Sequence, residues 1–358
     1  MDTEIQTMLL DQAVRLLEAE VPQDRLKELL EKPGSFDAPL WEKAIELGWP
    51  AIAIAEESGG LGLGVTALTA LLQELGQRTV SLPLVSGYVT AAALLEGNAA
   101  AEVAGQLASG EAIATLALGE PGDCGLKPSL SFSGGTLTGA KAPAAFAAVA
   151  THALVSATDG TAPGLYLVDL SAAGVVRDVV PAIDNARSAA TLSFDGAPAT
   201  LAVAGWDAVI RYAAIAATLV AYEQIGGSER CLSISVAYAK ERKVFGQPIG
   251  AFQAIKHKLA DMYQELEIGR GCAIDALEAL EEGRSDFLML ACTARLGAGI
   301  AYDFAARECI QTHGGIGVTW EAEPHHHYRR ARSLALEIGG APFWRDLLVD
   351  GQQVLETV

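Results

Sequence analysis

The chain has 358 residues, of which 51% are hydrophobic and 19% charged, and its 44 acidic side chains outnumber 25 basic ones for a net charge of −19. Such hydrophobicity excludes intrinsic disorder for the bulk of the chain, and at roughly 100–200 residues per domain the length implies two or three domains with a large core. The acidic balance repels phosphate backbones and anionic lipid, which excludes nucleic acid and a membrane surface as the main partner.

The charge is uneven. Residues 1–204 carry 10 basic and 24 acidic groups, residues 205–358 carry 15 and 20, so an anionic ligand is expected on the second part. No run of about 18 uncharged apolar residues occurs, and the start Met1-Asp2-Thr3-Glu4 lacks a basic, apolar leader, which points to the cytoplasm. The five cysteines (124, 231, 272, 292, 309) show no Cys-x-x-Cys spacing and read as buried thiols rather than disulfides or metal ligands.

Up to about residue 112 apolar residues recur at three and four, as in Ile5, Met8, Leu9 and Ala13 and again in Ala67, Leu71 and Leu75, which predicts helices. The intervening Glu57-Ser58-Gly59-Gly60-Leu61-Gly62-Leu63-Gly64 has no Lys-Ser/Thr after it and reads as a structural turn, not a phosphate cradle. From 113 to 204 the period shortens to two, with short apolar runs at 113–118, 130–132, 137–139, 152–156, 164–170, 175–180, 190–194 and 200–203. These predict a small antiparallel sandwich or barrel. From 205 to 358 the helical period returns in four long segments, about 206–240, 250–282, 286–312 and 325–357, which predict a four-helix bundle. The fold class is therefore α+β: a helical domain over 1–112, a β domain over 113–204 and a helical bundle over 205–358.

The linkers of the bundle carry the chemistry. Tyr238-Ala239-Lys240-Glu241-Arg242-Lys243-Val244-Phe245-Gly246-Gln247-Pro248-Ile249-Gly250-Ala251-Phe252-Gln253 and Gln311-Thr312-His313-Gly314-Gly315-Ile316-Gly317 resemble the two bundle-turn signatures of acyl-CoA dehydrogenases. The resemblance extends along the chain and implies a flavoenzyme subunit that removes two hydrogens from an acyl-CoA. In that family the two turns hold the diphosphate and adenosine of a FAD whose flavin ring lies on a neighbouring subunit. The residue chemistry agrees. Arg242 presents a bidentate fork to a pyrophosphate, Phe245 can cover the adenine or ribose, and Gly314 and Gly315 let backbone N–H groups approach an anion. Gln311 offers both donor and acceptor, and Gln253 closes the first signature. Either motif alone would read as a surface cation and a helix stop; together they point to FAD.

The pattern breaks at the flavin ring. The family's Thr-Glu-Pro-x-x-Gly-Ser-Asp is reduced to Glu120-Pro121-Gly122-Asp123-Cys124-Gly125, and its Lys-x-Trp-Ile-Thr/Ser reads Lys141-Ala142-Pro143-Ala144-Ala145. The family's catalytic glutamate, counted on from Gln311, falls at Ile338 beside Glu337, and the alternative position on the first bundle helix falls near Ala216, two turns before Glu223. Glu223 and Glu337 are the candidate bases, Glu223 reading more readily as a structural hydrogen-bond partner. His325-His326-His327 cannot converge on one metal, since neighbours on a helix diverge by about 100°; no metal is expected, and these histidines read as a helix face near an anionic phosphate. Lys256, His257 and Lys258 read as solvated helix positions.

Gly317-Val318-Thr319-Trp320-Glu321 with Tyr328-Arg329-Arg330-Ala331 is similar to short bacterial subunits of α2β2 acyl-CoA dehydrogenases acting on steroid side-chain CoA thioesters. The resemblance implies a homologous partner subunit bearing the flavin pocket and base, an acyl-CoA substrate and an electron-transfer flavoprotein as acceptor. Two alternatives stand beside it: a self-sufficient dehydrogenase with a displaced base, and a noncatalytic scaffold without flavin.

Overall fold

The structure is a computed structural model that describes residues 3–123 and 125–356; the side chains of residues 3–7, 23 and 351–356 lie outside that description, as does Cys124. Six helices come first: α1 (Thr3–Glu20), α2 (Gln23–Glu31), α3 (Ala38–Glu46), α4 (Gly64–Gln77), α5 (Leu84–Glu96) and α6 (Ala101–Ser109). Eight strands follow, one at each position that the period-two pattern predicts: β1 (Ala114–Ala117), β2 (Ser131–Ser133), β3 (Thr136–Ala144), β4 (His152–Thr158), β5 (Pro163–Asp169), β6 (Val175–Val179), β7 (Ala190–Pro198) and β8 (Thr200–Ala204). They form one sheet in the order β6-β7-β3-β2-β4-β5-β8, with β1 beside β4. The sheet is not purely antiparallel. The β2–β3 hairpin intervenes between β1 and β4, and this crossover leaves β1 parallel to β4 over four residue pairs.

The bundle consists of α7 (Trp206–Glu241), α8 (Gln253–Glu281), α9 (Phe287–His313), α10 (Pro324–Leu334) and α11 (Ala341–Glu356). The single last helix expected over 325–357 is thus two helices with a break between them. Ile338 lies at φ 59° and Gly339 at φ 83° in that break, angles that a continuing helix cannot hold and that a β-branched residue rarely adopts.

Helix α7 runs through the centre of the molecule and is buried along most of Val209–Ser228. Small residues make that position possible. A Cβ on Gly76 of α4 would sit 2.0 Å from the Glu223 carbonyl oxygen, and one on Gly226 of α7 would sit 1.9 Å from that of Gln73. The two helices therefore cross backbone to backbone, which fixes Glu223 at the junction of all three parts of the chain. By length and composition α7 and the 287–318 helical stretch are apolar enough to cross a membrane, but 83% of the α7 window is buried within the protein. Leu72, Leu75, Leu94, Val209, Leu219, Ala298 and Trp344 belong to one core shared by the first helices and the bundle, while Leu137, Val155, Val168, Leu192 and Phe194 form a second core under the sheet.

Candidate functional site

The sequence-predicted cofactor residues gather at one end of the bundle. Helix α7 ends at Glu241, and Arg242 leaves it in extended conformation. Val244 pairs with Gln247 and Lys243 with Pro248 across a tight turn whose central residues, Phe245 and Gly246, have φ of 52° and 82°. Two consecutive positive φ angles suit a two-residue hairpin turn, and glycine supplies one at no steric cost. The turn leaves the Phe245 ring 93% exposed. The second turn lies alongside the first: the Tyr238 and His313 rings stack at 4.3 Å, and Lys258 bridges from α8 to Glu308 of α9 at 2.6 Å. Helix α9 stops at Gly314 (φ 65°, ψ −141°).

Arg242, Gln253, Gln311, Gly314 and Gly315 are all exposed, and among the described residues the three side chains make no hydrogen bond or ion pair. A Cβ at Gly246, Gly314 or Gly315 would meet no atom within 4 Å. The turns thus present a guanidinium, two amides and open backbone outward, with an aromatic ring beside them. That set fits a diphosphate attached to a nucleoside. Lys256 and His257 are exposed on α8, as expected of solvated positions.

A second half of the site lies inside. A cavity of about 410 Å³ opens between the β domain and the bundle, and Pro143, Ala145, Glu223, Glu337 and Ile338 line it. Both candidate bases thus face one cavity, but neither is free. Arg187, 3% exposed, stands between them. Its Nη1 donates to both oxygens of Glu223 (3.1 and 3.2 Å), and its Nε and Nη2 donate to Glu337 (3.1 and 2.6 Å). Arg330, 1% exposed, donates to Glu223 at 2.8 Å, to Asp184, to the Thr79 and Val80 carbonyls and to Ser81 Oγ. Burial lowers the proton affinity of both guanidiniums, but Glu223 and Glu337 around Arg187, and Asp184 and Glu223 around Arg330, outweigh it and raise both above the ordinary arginine value. The network ties the first helices, the β domain and the bundle together. Glu223 is thus bonded to two guanidiniums and Glu337 to one, so the lone pairs of both carboxylates are already engaged within the chain.

The reduced motifs of the β domain also pair inward. Lys141, 1% exposed, bonds to Glu120 and, at 2.9 Å, to Ser156 Oγ; burial lowers its pKa, with Glu120 opposing. At the cavity wall Pro143 and Ala145 offer neither a ring face nor a hydroxyl, so this wall does not fit a flavin ring in the way the outer turns fit a diphosphate.

The three histidines do not form an anion-facing surface. His325, His326 and His327 are 7%, 2% and 0% exposed. His325 stacks on Trp320 at 5.0 Å, His327 shares a hydrogen bond with Tyr302 at 3.0 Å, and among the described residues both ring nitrogens of His326 lack partners. Short α10 turns this stretch inward against α9 and α7, where the sequence pattern suggested a longer surface helix. Among the described residues no group of three or more His, Cys, Asp or Glu could hold a metal. Cys231, Cys292 and Cys309 are buried and Cys272 half-buried, all four free.

Arg187, Asp184, Arg330 and Arg295 were not legible as site residues. Arg330 belongs to the Tyr328-Arg329-Arg330-Ala331 signature and Arg295 to an otherwise apolar stretch of α9, and only the tertiary fold gathers these residues around Glu223 and Glu337.

Comparison with known proteins shows the family. Residues 3–108 match the acyl-CoA dehydrogenase N-terminal domain and residues 204–341 the acyl-CoA dehydrogenase C-terminal domain. Acyl-CoA dehydrogenase IpdE2 of Mycobacterium tuberculosis is 33% identical over 302 residues, covering 84% of this chain and 82% of that protein. A chain of the Tcur3481-Tcur3483 steroid ACAD is 30% identical with a TM-score of 0.92, over 99% of both chains. A chain of the ChsE4-ChsE5 complex from M. tuberculosis is 28% identical with a TM-score of 0.89, over 100% of this chain and 99% of that one.

Proposed function

Because the chain belongs to the acyl-CoA dehydrogenase family, we propose that it is the non-catalytic member of a heteromeric, FAD-dependent acyl-CoA dehydrogenase. In this reading a homologous partner, in an α2β2 assembly, contributes the flavin-ring pocket and the base. Arg242, Phe245, Gln253, Gln311, Gly314 and Gly315 of this chain hold the diphosphate and adenosine of the partner's FAD. The cofactor, when bound, supplies the hydride acceptor for α,β-dehydrogenation of an acyl-CoA thioester. The contribution of this chain is to bind and orient: Arg242 neutralises diphosphate charge, Gln311 and the open backbone at Gly314 and Gly315 fix its oxygens, and Phe245 covers the nucleoside.

One observation carries the proposal: Arg187 occupies both candidate bases while the Arg242, Gln253 and Gln311 side chains of the outer turns are exposed and without a partner among the described residues. The structural neighbours named as a two-component steroid ACAD and as the ChsE4-ChsE5 complex support a partner of the same family and a CoA thioester of a steroid side chain as the substrate class. An electron-transfer flavoprotein as acceptor and a cytoplasmic location belong to the same proposal.

The test is reconstitution. The chain by itself should not dehydrogenate steroid side-chain CoA thioesters with a dye acceptor, and co-expression with a glutamate-bearing homologous subunit should give turnover. Turnover by the isolated chain would overturn the assignment.

A further inference from the structure

Behind the break between α10 and α11 lies another cavity, of about 290 Å³, which shares Arg332 with the first. Among the described residues its lining includes four arginines, Arg295, Arg307, Arg332 and Arg345, and two acids, Glu265 and Asp303, an excess of two positive charges in a chain whose total is −19. Asp303 is already committed, to Arg307 at 3.3 Å and to Arg332 at 2.5 Å. Arg345 is exposed, and neither it nor Glu265 makes an ion pair with another described residue.

Arg295 adds a buried positive charge at the cavity wall. It is 4% exposed, yet its donors reach only uncharged acceptors. Nη1 donates to Gln224 Oε1 at 3.2 Å, Nη2 donates to the Leu334 and Glu337 carbonyls at 2.6 Å and to that of Gly339 at 3.3 Å, and Nε, itself buried, has no partner among the described residues. Burial brings its pKa down to about 10, against a smaller opposing pull from Glu337. Arg187 and Arg330 are as deeply buried but each meets at least two carboxylates. A buried cation without a counter-charge is costly, and folded proteins pair such groups.

We propose that this cavity is an anion site whose ligand is a phosphate group. The charge excess of two matches a phosphate dianion, and the exposed guanidiniums of Arg307 and Arg345 can meet its oxygens. Leu296, Ile300 and Phe304 give the same cavity an apolar wall, so an organic group esterified to the phosphate is accommodated beside it.

Thermal unfolding of the full chain, at ionic strength held constant with chloride, tests the site with inorganic phosphate and, separately, ribose 5-phosphate. At tenfold excess over Kd, Tm should rise by about 2–3 °C. A larger response to inorganic phosphate identifies the free anion, and a larger response to the sugar phosphate identifies an ester; either supports the site. The rise should vanish in the double variant Arg307→Gln/Arg345→Gln, which alters two exposed side chains, and persist in Arg242→Gln. No rise beyond the chloride control with either probe, or an equal rise in the double variant, overturns the proposal. A rise abolished by Arg242→Gln also overturns it, by assigning the phosphate to the bundle turns.

Discussion

The α7–α8 and α9 turns and the cavity under the β domain use the same side-chain chemistry in opposite ways. At the turns the Arg242 and Gln311 side chains are exposed and make no hydrogen bond or ion pair with another described residue; in the cavity Arg187 and Arg330 are buried and spend their donors on Glu223, Glu337 and Asp184. An exposed arginine keeps its fork for a ligand from outside, and a buried one with carboxylates around it is part of the framework. The contrast teaches that ligand-binding capacity here is judged by what each charge is already bonded to.

Removing a framework charge should have the largest effect. Arg330→Met leaves Asp184 and Glu223 short of a buried partner, and breaking such a pair costs about 3–5 kcal/mol; urea unfolding should show a loss of that size or no soluble protein. A loss below about 1 kcal/mol would mean that the network is not what joins the three parts. Arg242→Gln should do the reverse. It should change stability by less than about 0.5 kcal/mol while weakening FAD binding by the assembled complex, measured by flavin retention on dialysis, by about 10–100-fold, the worth of a charged hydrogen bond.

The buried histidines give a pH-dependent effect of intermediate size. Burial, then repulsion from His325 and His327, lowers His326 to about 3, with Glu323 opposing and Lys27 adding to the fall. Below the ordinary histidine value of about 6.5 the unfolded chain gains a proton that the folded chain refuses, so stability falls as the pH drops from there toward 3. From His326 alone the loss between pH 7.5 and 5.5 should be about 1.4 kcal/mol. In chemical denaturation His326→Leu should flatten that part of the profile, and an unchanged acid limb would contradict it.

The smallest effect is expected where a catalytic role would give the largest. Glu337→Gln in this chain should alter turnover of the complex by no more than about twofold; a collapse of kcat with FAD content intact would make Glu337 a base and break the comparison.

The local half of this picture was legible in the sequence. Helices, the eight strands and the two outer turns each follow from residues adjacent in the chain, where period, glycine and signature coincide. The inner half was not, because Asp184, Arg187, Glu223, Arg330 and Glu337 lie on separate elements and charged residues ordinarily read as solvated. The helix break was missed for a related reason. Gly339-Gly340 marked it weakly, but it is held by Arg295 of α9, whose Nη2 grips the Leu334, Glu337 and Gly339 carbonyls. His325 to His327 went astray because three consecutive histidines on a polar helix read as surface until packing is known.

On the proposed reading the outer turns of this chain hold half of a flavin site, while Glu223 and Glu337 inside remain bound to Arg187. Flavin absorbance against protein concentration, measured on the complex purified after co-expression with its homologous subunit, tests this most directly. One FAD per pair of unlike chains, with none on this chain purified alone, is the predicted result. One FAD per chain on a homo-oligomer of this protein would contradict it.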